Sequence, residues 1–355
     1  MLLILLLILL LALVVAILLF GDSPNFRNTP IQSFHHFLLR TNASISRRIM
    51  ANDQIYAALR WLVPLFYVMV VLFCLFEFFS WVYPALDSDI LNSQLHSAYI
   101  AFTIASVFLS TALVTFSDPG TVNSANVAAA CAKFKDNGLI FFGKTCSTCH
   151  THKPARSKHC SVCNRCVLLF DHHCIWFNNC IGYNNYRWFI AFLLSNINMM
   201  VYGAYLCWLE LRQLNAPNGW WKLIVATTEN NRISGILLLL ASIISVITSL
   251  FTCLHLRYLY LGVTTNEAEK WGEIEHLVSL GVLFYVVERD IYVEEASMRQ
   301  ADGTYEVVYL RLNDDQVVFK GKGDLTFLKI TLMENDLNNI YDGGFVNNVK
   351  ERIFI

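Results

Sequence analysis

Charge is scarce in this chain: Asp, Glu, Lys and Arg make up 15% of its 355 residues, against about 25% in soluble domains. What charge there is cancels, 26 basic against 27 acidic residues, so no basic surface stands ready for nucleic acid. Disorder is excluded as well, because 14% aromatic residues with little charge is the opposite of its signature. Hydrophobic residues reach 55% and the mean hydropathy is +0.47, which a water-soluble fold of this length hardly sustains. The composition predicts an integral membrane protein.

Crossing about 30 Å of hydrocarbon takes about 20 apolar helical residues. Five stretches qualify: 1–20, 61–79, 98–116, 188–210 and 234–260. The first lacks a basic n-region and a small-x-small site before Gly21, so it reads as a transmembrane anchor rather than a signal peptide. Lys and Arg number five in 21–60, none in 80–97, eight in 117–187, three in 211–233 and nine after 260. The positive-inside rule then places 21–60, 117–187 and the tail 261–355 in the cytosol. The sequon Asn42-Ala43-Ser44 stays bare in that topology. Glu77, Asn196, Asn198, Ser242, Ser245 and Thr248 inside the spans suit interhelical hydrogen bonding, and no chain of intramembrane charges suggests a transporter.

Seven of the 11 cysteines lie between Cys146 and Cys180. On the cytosolic side thiols stay reduced, so such a cluster points to metal rather than disulfides. One set is Cys146-x2-Cys149-x9-His159-x6-Cys166, and shifted by 14 residues it recurs as Cys160-x2-Cys163-x9-His173-x6-Cys180. Two interleaved Cys3His sets match the closed four-ligand sites of structural zinc. Metal binding of this kind supplies ~10–16 kcal/mol per site in small zinc modules, enough to hold together a segment too polar for a core of its own.

One cysteine of the cluster, Cys174, is left over. It takes the next place in the 14-residue repeat, but the matching partner position is Phe177, so a third metal site cannot form. Asp171 and His172 stand beside it, and His173 already belongs to a metal set. A free thiol near an imidazole backed by a carboxylate is the arrangement of an activated nucleophile. It is equally compatible with a spare thiol, Asp171 merely orienting a ligand histidine.

At Asp171-His172-His173-Cys174 the chain resembles the DHHC protein S-acyltransferases, or palmitoyltransferases. Asp118-Pro119-Gly120 after the third span is similar to that family's DPG motif, and Thr264-Thr265-Asn266-Glu267 after the fifth to its TTxE motif. Asn339-Ile340-Tyr341-Asp342 through Asn348 is similar to the family's aromatic C-terminal motif. The run Lys153 to Cys160 and the N-terminal span most resemble the fungal branch that acylates cysteines beside the transmembrane helices of SNAREs at the endoplasmic reticulum. Ile175 departs from the proline that follows the DHHC cysteine in many members.

The resemblance implies an enzyme in which Cys174 takes a long-chain acyl group from palmitoyl-CoA and passes it to a substrate cysteine. His172 would act as general base, Asp171 would orient it, and His173 would bind one of two structural zinc ions. Trp176, Phe189 and Phe192 would line an acyl cavity. Burying a lipid chain is worth about 0.8 kcal/mol per methylene, which is a reason to keep the thiol at the membrane face. Thr265 and Glu267 would brace the catalytic segment, and Tyr341 and Asn348 would pack the tail onto the core. Thr264 serves equally well as a cap for a helix over Glu267–Leu277.

The expected architecture is thus an α-helical membrane protein of about five spans. Anchor 1–20 and segment 21–60 precede spans 61–116, a zinc-binding segment 117–187 and spans 188–260. Short β-branched and aromatic runs over 283–331, divided by Asp302-Gly303, Asn313-Asp314-Asp315 and Gly321-Lys322-Gly323, predict three or four strands in the tail. A competing reading is a membrane-anchored zinc scaffold without activity, in which Cys174 has no chemical role.

Overall fold

The computed structural model describes residue 17 and residues 29–213, 229–300, 303–321 and 323–354. The expected anchor at 1–20 falls outside these residues except for Ile17, as do 214–228 of the weakly basic loop. The chain forms two compact units, Met1–Leu65 and Phe66–Ile355. The first contains helices α1 (Pro30–Met50) and α2 (Asp53–Leu59). Asn52 caps α2, its side chain accepting from the amides of Gln54 and Ile55, both at 3.1 Å.

Among the described residues four helices are long and apolar enough to cross a membrane: Asp53–Ala85, Gln94–Phe116, Tyr186–Gln213 and Arg232–Tyr260. They correspond to the four expected spans after residue 60. Their regular parts are α3 (Leu62–Glu77), α4 (Gln94–Phe116), α5 (Tyr186–Gln213) and α6 (Glu229–Tyr260). Beyond Glu77 the chain continues through a π turn over Phe78–Val82. Phe73, Phe76, Leu109, Ile243 and Leu250 are each more than half exposed, as lipid-facing side chains must be in a protein without its bilayer.

Helix α5 is the hub, packing against both α4 and α6. Asn196 and Asn198 bond between helices, accepting from Tyr67 Oη at 2.9 Å and Tyr99 Oη at 2.7 Å. Ser195 and Ser110 meet at 2.9 Å. Ser245 and Thr248 do otherwise: their hydroxyls donate to the carbonyls of Ser242 and Ile244 on their own helix.

Between α4 and α5 the chain is a series of hairpins. β2 (Lys144–Thr145) pairs with β3 (His152–Lys153), β4 (Lys158–Cys160) with β5 (Arg165–Val167), and β6 (His172–Cys174) with β7 (Asn179–Ile181). Strand β1 (Thr121–Val122) adds to β5. After α6 come α7 (Thr265–Leu280), five strands and the terminal helix α8 (Phe345–Ile353). Thr264 caps α7 in a full capping box with Glu267.

The tail sheet has one or two more strands than expected. β8 (Leu283–Val286), β9 (Ile291–Arg299), β10 (Tyr305–Arg311), β11 (Val317–Lys320) and β12 (Phe327–Lys329) lie in the order β11-β10-β9-β8-β12, antiparallel throughout. The two strands least legible in the sequence stand at the ends of the run. β8 is a continuous apolar tetrapeptide with no alternation to reveal it, and β12 is only three residues long.

Candidate active site

The 14-residue repeat of the sequence is a repeat of backbone. His150, Asn164 and Asn178, spaced 14 apart, all turn with positive φ, 49° to 55°, and each closes a hairpin. Across β4–β5 His159 faces Cys166, and across β6–β7 His173 faces Cys180, so the x6 spacing is the span of a hairpin. Each Cys-x2-Cys pair lies in the preceding turn, where Cys149 N donates to Cys146 Sγ and Cys163 N to Cys160 Sγ, both at 3.4 Å.

The two sets come together as the spacing predicts, each with its four ligand atoms within 4.8 Å of one another. Zinc–sulfur bonds of about 2.3 Å put tetrahedral ligands about 3.8 Å apart. The separations match: Cys149 and Cys166 sulfurs are 3.8 Å apart, and Cys163 and Cys180 sulfurs 3.5 Å. The Nδ1 atoms of His159 and His173 lie 3.2 and 3.3 Å from Cys149 and Cys163. Both sets therefore fit a tetrahedral ion with no position left over for water.

The third hairpin carries Cys174 where the earlier turns carry a metal thiol. Phe177, in the partner place, is 1% exposed and packs edge-on against Phe192 with centroids 4.6 Å apart. Asn179, opposite Cys174, anchors this hairpin to the end of α4. Its Nδ2 reaches the carbonyls of Val114, Thr115 and Ser117 at 2.9–3.1 Å, three groups that the helix end leaves without internal partners. Its Oδ1 accepts from Cys180 N at 2.9 Å and Arg165 Nη2 at 3.0 Å. Asn179→Ala is expected to cost about 1–3 kcal/mol by stranding these buried carbonyls. Thermal unfolding in detergent measures it, and an unchanged midpoint would refute the anchoring role.

Asp171 is fully buried and all its acceptor positions are used. Oδ2 accepts from His172 Nδ1 at 2.9 Å and Thr265 Oγ1 at 2.7 Å. Oδ1 accepts from Thr265 N at 3.1 Å and Arg352 Nη2 at 3.0 Å. Burial pushes this carboxyl up, but the His172 hydrogen bond and the Arg352 charge overturn it and hold it well below the usual carboxylate range. Burial pulls the His172 imidazole down, while the Asp171 hydrogen bond and the adjoining Cys174 thiol raise it, to about 9. The bond to Asp171 thus favours the protonated form of the imidazole beside the sulfur.

An apolar cavity of about 730 Å³ has Cys174 in its wall and runs among α3, α4, α5 and α6. That volume lies within the range of about 300–1,000 Å³ usual for small-molecule sites. Along α5 its wall extends from Phe189 to Cys207, a rise of about 27 Å along the helix. Trp176, Phe189 and Phe192 all line it. Trp176 is half-exposed, while Phe189 is 2% exposed and meets His172 edge-on with ring centres 5.3 Å apart.

The remaining candidates lie around this centre. Glu267 receives Arg156, with Nε to Oε1 at 2.7 Å and Nη2 to Oε2 at 2.6 Å. Tyr341 donates to Lys135 O at 2.7 Å, and the Arg156 guanidinium lies 4.8 Å from its ring centre. Asn348 donates to Tyr260 O at 3.3 Å and to Asp342 Oδ1 at 2.8 Å, fastening the tail to the end of α6. Gly262 permits that approach: its φ is +64°, and a Cβ there would meet Asp342 Cα at 2.8 Å. Sequence reasoning missed Arg352, Asn179 and His255, whose ring packs between Phe189 and Phe251 near His172. Their spacing carries no motif, since each acts through contacts made far along the chain.

A thiol beside a buried carboxylate–imidazole pair, in the wall of a lipid-sized cavity, defines a membrane enzyme of acyl chemistry. Known proteins agree. The family model described as DHHC palmitoyltransferase matches residues 140–272. Palmitoyltransferase SWF1 of Debaryomyces hansenii is 47% identical over 355 residues, covering 96% of this chain and 94% of the relative. Palmitoyltransferase SWF1 of Candida albicans is 48% identical, with 95% and 94% covered, and that of Yarrowia lipolytica 32% identical with the same coverage. The chain belongs to the DHHC palmitoyltransferase family. It is a multi-pass membrane protein and a protein S-palmitoyltransferase.

Proposed function

We propose that Cys174 is the acyl-carrying nucleophile, that His172 is its proton partner and that Asp171 holds His172 in register. The observation that carries this is the place of the thiol: 7% exposed, in the cavity wall, beside an imidazole whose other nitrogen is locked on Asp171. The Cys174 thiolate attacks the carbonyl carbon of the palmitoyl thioester. The new carbon–sulfur bond forms, the bond to coenzyme A breaks, and the departing thiolate takes the proton from His172. A substrate cysteine then gives its proton to His172 and attacks the acyl-enzyme, releasing Cys174 as thiolate. Trp176, Phe189 and Phe192 shelter the chain in the cavity, where water cannot compete for the thioester.

The Cys146–Cys149–His159–Cys166 and Cys160–Cys163–His173–Cys180 sets hold two structural zinc ions, whose bound chemistry is a cross-link between hairpins. Thr265, Glu267, Tyr341 and Asn348 brace the site. The reacting face is cytosolic, in line with the Lys and Arg distribution. Substrates are membrane proteins with cysteines beside a transmembrane helix, of the SNARE kind, and the compartment is the endoplasmic reticulum. Both follow from the resemblance to the fungal branch.

The test is direct. Purified protein mixed with palmitoyl-CoA should form a hydroxylamine-labile adduct that peptide mass spectrometry places on Cys174. An adduct on another cysteine, or none from protein carrying both metals, refutes the assignment and favours the scaffold reading.

A further inference from the structure

We propose that Arg352 is a positioning residue of the reaction, so that the terminal helix α8 completes the Asp171–His172 pair. The inference rests on the assignment of Cys174 and its neighbours above, and adds a residue that no motif marks. Arg352 is 1% exposed and lies 181 positions along the chain from the carboxylate it meets. Its Nη2 is 3.0 Å from Asp171 Oδ1, and its Nη1 donates to Val263 O at 2.8 Å. The guanidinium lies 3.7 Å from the ring centre of Tyr186, the first residue of α5. One side chain thus ties the catalytic strand, the loop after α6, the head of α5 and the tail.

Geometry shows what Arg352 controls. A carboxylate has about four acceptor positions, and Asp171 fills them with Thr265 N, Thr265 Oγ1, His172 Nδ1 and Arg352 Nη2. Oδ2 faces His172 only while Oδ1 is held on its far side. Removing Arg352 frees half of that hold, lets the carboxylate turn, and loosens the imidazole that faces Cys174. Misplacement of a catalytic group by an ångström lowers the chemical step without weakening substrate binding. Glu351 reaches Arg156 Nη1 at 3.4 Å, so neighbouring residues of α8 pair with opposite charges of the core and fix the helix in one register.

The experiment compares single-turnover acylation by palmitoyl-CoA in full-length wild type, Arg352→Met, Arg352→Lys, Asp171→Asn and the Asp171→Asn/Arg352→Met double variant, with Cys174→Ser as control. Arg352→Met should lower the saturating rate about 10–100-fold with the half-saturating palmitoyl-CoA concentration and two metals per chain unchanged. Arg352→Lys should recover most of the loss. The double variant should be no slower than Asp171→Asn alone, because Arg352 acts through Asp171. A rate within twofold of wild type, a loss confined to half-saturation, or a lysine variant no better than methionine overturns the proposal. If Arg352→Met lacks its metals, Arg352→Lys with and without Asp171→Asn decides, and additive losses there overturn it. Failure of wild type to label at Cys174 refutes the underlying assignment instead, so the two failures are distinct.

Discussion

Cys174→Ser is expected to reduce acyl-enzyme formation at least about a thousandfold while the metal content of the chain stays unchanged. A hydroxyl in this place is a far weaker nucleophile, and removing one member of a catalytic unit typically costs about 10³–10⁶ in rate. The metals should stay, because Cys174 belongs to neither four-ligand set. Incorporation of labelled palmitate and metal content per chain, measured on the same sample, check both halves. Undiminished incorporation would show that another sulfur carries the chain. Loss of metal together with activity would show that the thiol is structural.

Glu267→Ala should produce the largest loss of stability. Glu267 and Arg156 are 2% and 1% exposed, paired at 2.6 Å, and the same carboxylate accepts from Thr264 N at 2.9 Å to cap α7. Truncating it removes the buried counter-charge of Arg156 and leaves only the partly exposed Glu351 at 3.4 Å, and breaking a buried pair of this kind costs about 3–5 kcal/mol. Loss of the cap adds about 1 kcal/mol. A thermal midpoint lower by at least several degrees is expected, and Glu267→Gln, which keeps the shape and one acceptor, should fall less. A midpoint for the alanine variant within about one degree of wild type would contradict the pairing.

Much of this centre is written locally. The metal sets are legible because a hairpin turns fixed spacing into fixed geometry: six intervening residues set His159 opposite Cys166 and His173 opposite Cys180. The four described helices long and apolar enough to cross a membrane are legible because lipid demands uninterrupted apolar helices. Asp171 and His172 are neighbours in sequence, so their contact needs no folding to suggest it. Arg352, Asn179 and the Arg156–Glu267 pair are another matter. Their partners lie 181, between 62 and 65, and 111 residues away, and no periodicity encodes a meeting of that kind. The tail sheet falls between. Its alternating strands announce themselves, whereas β8, buried on both faces, reads like any apolar run.

The left-handed corners at His150, Asn164 and Asn178 recur at one interval, although only two of the units they close gather a complete set of metal ligands. In the third, a phenyl ring sits where the second sulfur of a chelate would stand, so a soft ion could grip that turn with one hand only. Cys174 thereby inherits a seat shaped for permanent ligation that neither metal set claims. The next repeat would also need ligands at 177, 187 and 194, where Phe177, Arg187 and Leu194 stand, so this corner keeps the shape of a clamp with a single sulfur in it.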